Sequence, residues 1–235
     1  MGNGAGVEDK VREVADLLEE EYGRPAPRRR LRPLDELVLT ILSQHTSDAN
    51  SDRAFERLKE KLPTWEAVRE APVEEIAEAI RPGGLATMKA PRIKELLLRL
   101  GSERGDLDMD FLREMDMEEA RTYLLGIDGV GPKTAACVLL FSCDRPAFPV
   151  DTHIHRVSTR LGILEAGTSA DEAHRILEQM VPPERVYSFH VNLITHGRRV
   201  CKAQRPLCDQ CVLAPLCDFF AGKSAASGKM DRRSA

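Results

Sequence analysis

Apolar residues recur at helical spacing along nearly the whole chain. Val7, Val11, Val14, Leu17 and Leu18 share one face, and Leu34, Leu37, Val38, Ile41 and Leu42 share a second at the i, i+3, i+4, i+7, i+8 spacing. Val73, Ile76, Ala77 and Ile80 make a third face, and Ile93, Leu96, Leu97 and Leu100 a fourth. This period predicts amphipathic helices with one buried stripe each. Helices are also expected at Met117 to Leu125, at Pro132 to Phe141, and after Asp151, where Ile154, Val157 and Leu161 line up. Pro182-Pro183 separates two more, at about 169–179 and 184–199. Pro72 and Pro91 stand near expected helix starts, where a missing N–H does no harm. No alternating run reads as a strand, and no repeat is visible, so the fold class is all-α. The Ala/Ser/Gly/Lys tail, 222–235, is expected to be disordered.

Composition narrows the setting. The chain has 235 residues, 42% of them hydrophobic, enough for one large core or two small ones. No apolar run approaches the roughly 18 residues that a membrane span needs. The opening MGNGAGVEDK carries acids and no apolar signal core, so a cytoplasmic, intracellular protein is expected. A net charge of −4 gives no global reason to expect nucleic acid. The distribution does: from Arg198 onward eight Lys and Arg face three Asp and Glu. Arg24, Arg28, Arg29, Arg30 and Arg32 form a second basic cluster. Phosphate binding needs local patches rather than a basic total, although such clusters also serve as solvated surface.

Three features carry chemistry. The first is the punctuated link Gly126-Ile127-Asp128-Gly129-Val130-Gly131 between two helices. Its glycines allow a tight turn and close backbone approach, and the helix that follows offers free N–H groups to a phosphate. The same pattern also serves as an ordinary packing corner. Lys133 stands just inside that second helix, where the dipole disfavours a positive charge. A neutral amine is what a nucleophile requires. The second feature is Val150-Asp151-Thr152-His153. Asp151 is placed to cap a helix, and its carboxylate could equally face a reacting group.

The third feature is Cys201-x6-Cys208-x2-Cys211-x5-Cys217. Without a secretory context such a cluster reads as metal ligands rather than disulfides. A four-cysteine zinc site is one reading, but such sites usually use two short knuckles and only one short pair is present. The uneven spacing suits a [4Fe–4S] cluster. Either would order the neighbouring Lys202 and Arg205 for phosphate contact.

The combination of hairpin, Val-Asp turn, His196-Gly197-Arg198 and cysteine spacing, in that order, resembles the endonuclease III family of helix-hairpin-helix DNA glycosylases. Ser43-Gln44-His45-Thr46-Ser47-Asp48 and Gly84-Leu85-Ala86-Thr87-Met88-Lys89-Ala90 resemble that family's DNA-facing loops. The resemblance implies two domains with DNA at the cleft between them. A six-helix domain with the hairpin would span 26–145. An iron-sulfur domain would combine 1–25 with 146–221. It further implies Lys133 and Asp151 as the catalytic pair, and Cys201, Cys208, Cys211 and Cys217 as ligands of a [4Fe–4S] cluster. Gln44, His45, Leu85, Gly129, Gly131, His153, Lys202 and Arg205 would meet DNA. Two positions depart from the pattern. The family's Leu-Pro-Gly reads Ile127-Asp128-Gly129 here, and His45 stands where better-known members insert a Gln.

The implied activity is a bifunctional glycosylase and abasic-site lyase, acting as a monomer on duplex DNA with oxidised pyrimidines. The alternatives are a monofunctional mismatch glycosylase of the same superfamily, which lacks the hairpin lysine, and a non-catalytic iron-sulfur redox sensor that binds DNA.

Overall fold

The computed structural model describes residues 4–28 and 30–222. Arg29 and residues 223–235 of the predicted tail lie outside the described residues; Gly222 ends a helical turn at 218–222. The described residues form helices and no strands. In chain order these are α1 (Gly4–Tyr22), α2 (Pro33–Ser43), α3 (Asp48–Lys61), α4 (Trp65–Glu70), α5 (Val73–Ala79), α6 (Ala86–Arg104), α7 (Met117–Leu125), α8 (Pro132–Phe141), α9 (Thr152–Leu161), α10 (Ala170–Met180) and α11 (Val186–Arg199). None of them is long and apolar enough to cross a membrane. The chain divides into two compact units. Arg28–Arg145 forms the hairpin unit, and Met1–Pro27 with Pro146–Ala235 forms the cysteine unit.

In the hairpin unit α2 is central and packs on α3, α6 and α8. It opens on Pro33, whose lost N–H is harmless there, and carries Asp35 and Glu36 at the positive end of its dipole. All of Leu34, Leu37, Val38, Ile41 and Leu42 are buried. Each such side chain contributes about 1.5–3 kcal/mol over an exposed one. Against this face lies α8, buried from Thr134 to Leu140, with small Ala135 and Ala136 allowing close approach. The unit carries α2 to α8 rather than six helices, because Ala71-Pro72 splits α4 from α5.

Pro72 immediately precedes α5, as the sequence predicts. Pro91 does not start a helix. It lies inside α6, which already begins at Ala86. The helix starts early because the Leu85 carbonyl accepts from the Met88 and Lys89 N–H groups. Pro91 falls in the second turn of α6, where it cannot donate to the Thr87 carbonyl.

In the cysteine unit α11 packs against α1 and α9. The buried stripe of α1 is Val11, Val14, Ala15 and Leu18, with Leu17 only half-buried. Gly197 sets the α9–α11 approach: a Cβ there would stand 2.8 Å from the His153 Cβ. Phe148 and Phe189 meet at 6.0 Å between ring centroids in the core beside these helices.

Candidate functional site

The hairpin unit presents three loops. The first joins α7 to α8. Ile127 and Val130 point inward and are buried, while Asp128, Gly129 and Gly131 are exposed. Gly129 has φ 79, a left-handed turn that favours glycine. Gly131 is extended (φ −93, ψ 178) and serves as N-cap of α8 without a side chain. Nothing lies within 4 Å of where its Cβ would be, so its backbone is open to a ligand. Lys133 follows, exposed, in the first turn of α8. From within the unit the turn is braced at two carbonyls. The Gln44 Nε2 donates to the Gly129 carbonyl at 3.4 Å, and the Arg99 Nη1 donates to that of Gly126.

The other two loops are strained. His45 has φ 56 and Leu85 has φ 49. Branched or bulky L-residues rarely adopt this region, and such conformers cost of order 1–3 kcal/mol. Both residues are among those the sequence marks as DNA-facing. Leu85 is 48% exposed and the nearby Met88 53%, an apolar tip held in solvent.

In the cysteine unit Asp151 is the N-cap of α9: its Oδ1 accepts from the Ile154 N–H at 2.7 Å. His153, half-buried, sits 3.1 Å from an Arg156 Nη2. All four cysteines of the motif line one small cavity, walled otherwise by Val200, Leu207 and the Phe219–Phe220 pair. Burial and the three neighbouring thiols push the Cys211 thiol up to about 11. A cationic centre among four thiols would reverse this, because it stabilises thiolates. Among the described residues no group of three or more His, Cys, Asp or Glu is arranged to hold a single metal ion.

Two arginines tie this loop to α9, a role the sequence pattern does not reveal. Arg156 donates to the carbonyls of Gly197 at 2.9 Å and Cys201 at 3.0 Å. One turn on, Arg160 donates to the carbonyls of Lys202 and Ala203, both at 2.8 Å, and to the Cys201 Sγ at 3.3 Å. Lys202 and Arg205 project from the held loop and are exposed. His196 reaches one cysteine: its Nδ1 lies 3.0 Å from the Tyr22 hydroxyl and its Nε2 3.5 Å from the Cys211 Sγ. Burial pulls His196 down to about 4. Cys137 and Cys143 lie apart from the motif, in the hairpin unit.

The described arginines of the other basic cluster all have partners within the chain. Arg28 pairs with Glu36 and stacks on Phe141, Arg30 pairs with Asp144, and Arg32 pairs with Asp108 and Asp110. Arg24 donates to the Glu184 carbonyl.

The profile of HhH-GPD superfamily base excision DNA repair proteins matches residues 38–183. Endonuclease III of Thermotoga maritima is 32% identical over 228 residues, 96% of this chain and all of that one. The chain belongs to the endonuclease III family. A candidate DNA glycosylase of Arabidopsis thaliana is 42% identical over 165 residues, 70% of this chain and 56% of that protein, so this endonuclease III relative spans little more than half its length. Among solved structures, a trapped endonuclease III–DNA covalent intermediate superposes with a TM-score of 0.80 at 30% identity, covering 92% of this chain and 98% of that one. The family profile includes the hairpin and Asp151 and ends before the cysteine motif.

Proposed function

We propose that this chain is a bifunctional DNA glycosylase and abasic-site lyase of base excision repair, acting on oxidised or ring-saturated pyrimidines in duplex DNA. One observation carries the reading: an exposed lysine, Lys133, stands in the first turn of a helix entered through a left-handed Gly129 and an open Gly131. A covalent protein–DNA intermediate needs a nucleophile, and the chain supplies one beside a backbone phosphate site.

The steps follow from the residues. A base within a duplex is out of reach, so it is extruded, at a few kcal/mol, less for a damaged base that stacks poorly. Leu85 and His45 fill the gap as wedges. The Lys133 amine attacks the sugar C1′ as the C1′–N bond breaks and the base leaves. Loss of a proton from the amine and opening of the sugar give a Schiff base at C1′. Removal of a C2′ proton then expels the 3′ phosphate, which nicks the strand. Asp151, with Oδ1 held by the cap, stabilises positive charge on the sugar and assists proton transfer. The amides of Gly129 and Gly131 bind a phosphate, and Lys202 and Arg205 bind others.

The four cysteines have the donor chemistry of a [4Fe–4S] cluster, and all four line one cavity. When bound, the cluster supplies a covalent cross-link among four positions of the loop. Borohydride trapping tests the catalytic half. Wild-type protein should cross-link to a duplex bearing thymine glycol and to one bearing a preformed abasic site, and Lys133→Gln to neither. Cross-linking that survives Lys133→Gln would assign the nucleophile elsewhere. Base release without nicking or trapping would favour a monofunctional glycosylase.

A further inference from the structure

The two strained loops share an anchor. Lys89 is 2% exposed, one helical turn beyond Leu85 on α6. Its Nζ donates to the Leu42 carbonyl at 2.7 Å and to the Gly83 carbonyl at 2.8 Å. Leu42 is at the end of α2, shortly before His45, and Gly83 shortly precedes Leu85. One ammonium thus bridges the backbone just upstream of both left-handed residues. The fit is close, since a Cβ on Gly83 would stand 3.1 Å from the Ala54 Cβ and 3.7 Å from the Leu42 carbonyl oxygen.

A lysine is an expensive choice for a buried strut. Burying an ammonium is costly unless its hydrogen bonds are replaced. Here two neutral carbonyls replace water, and no carboxylate is among the hydrogen-bond partners. Burial lowers the Lys89 pKa below its ordinary value. An apolar residue would fill the space at less cost. What the ammonium adds is a fixed distance between two loop entries, because charge-assisted bonds to carbonyls are short and directional.

We infer that Lys89 is a positioning residue that locks the His45 and Leu85 turns into one rigid double wedge, so that both enter a damaged base pair together. This rests on the reading of His45 and Leu85 as the residues that enter DNA. A wedge pre-organised in the free protein pays its strain on folding rather than on binding. If the two turns moved independently, each would have to be ordered as the base leaves the stack.

The test compares two substrates that differ only in the cost of opening the pair. One duplex carries thymine glycol opposite adenine; the other carries it opposite a tetrahydrofuran analogue of an abasic site, which has no partner base to separate and no C1′ hydroxyl for the lyase to attack. Single-turnover base release is measured for wild type, Lys89→Met and Lys89→Arg. Lys89→Met should release base from the paired duplex at least about tenfold more slowly, a change worth about 1.4 kcal/mol of barrier. On the unpaired duplex it should be within about threefold of wild type. Lys89→Arg, which keeps donors and charge, should recover part of the loss. Affinity for undamaged DNA and its salt slope should not change. Equal losses on both substrates would reduce Lys89 to a folding element and overturn the proposal. If Lys89→Met does not fold, Gly83→Ala takes its place, since the added methyl crowds Ala54 beside the Gly83 anchor while leaving the lysine, and the same selective loss is expected. Absence of base release by wild type on either duplex would instead defeat the glycosylase reading itself.

Discussion

The Arg160 guanidinium holds the carbonyl of Lys202 at 2.8 Å, so helix α9 grips the backbone of the residue whose side chain is proposed to meet phosphate. The same guanidinium takes the Ala203 carbonyl and the Cys201 sulfur and stacks 4.7 Å from the Phe219 ring. Asp151 caps the other end of the same helix. One short helix therefore fixes the carboxylate, the basic loop and a sulfur of the cysteine cavity.

Arg160→Lys should loosen this loop. A lysine keeps the charge but loses the planar fork that serves several acceptors at once. With an iron-sulfur cluster bound, its visible absorbance should bleach at a lower temperature than in wild type. Groups that hydrogen-bond a ligand atom commonly set metal-site stability. An unchanged bleaching temperature would show that the cluster loop is held without Arg160.

Lys202→Ala and Arg205→Ala should each weaken binding to duplex DNA irrespective of sequence. Each lost phosphate contact lowers the magnitude of the log K against log salt slope by about 0.9. Titrations at several salt concentrations measure it. A slope that does not change would make the exposed pair a solubilising surface only.

Much of the fold was legible in the sequence, because the helices of the hairpin unit depend on local periodicity. The stripe of α2 is buried as the spacing predicts, and α7 and α8 run where the apolar pattern places them. The candidate site was legible where residue type itself carries the signal: Lys133 after Gly-x-Gly, Asp151 before an apolar face, four crowded cysteines. The supporting residues were not. Nothing in the sequence marks the bridging roles of Lys89, Arg156 and Arg160, because their partners are backbone carbonyls, and every residue has one. Nor does residue type disclose the left-handed backbone of His45 and Leu85. Pro91 misleads because a proline shortly after a helix start resembles one at the start.

Glu36 should make stability depend on pH. It is 2% exposed, and burial raises its carboxyl above the ordinary 4.5 despite the opposing pull of Arg28 and Thr40. The folded state then binds its proton more tightly than the unfolded chain does. Its contribution is full below the unfolded value and is lost as pH rises through the folded value. Glu36→Gln removes the titration. Denaturant unfolding should therefore show the variant gaining on wild type as pH rises above the ordinary carboxylate range. A difference that stays constant, or moves the other way, would mean that the Arg28 pairing outweighs burial.

Asp151 offers a way to separate a structural role from a chemical one. Its Oδ1 caps α9, and asparagine caps a helix about as well as aspartate does. Asp151→Asn should therefore unfold in urea close to wild type, whereas Asp151→Ala should lose about 1 kcal/mol with the cap. Chemistry sorts the variants differently. Neither carries the negative charge proposed to stabilise a cationic sugar, so both should release base more slowly by orders of magnitude. Nicking at a preformed abasic site should suffer less, because no glycosidic bond remains to be broken. Single-turnover assays on thymine glycol and on an abasic duplex, run beside the urea curves, measure both axes. If Asp151→Asn kept wild-type base release while Asp151→Ala lost it in step with stability, the residue would be a cap and the catalytic charge would have to come from another side chain.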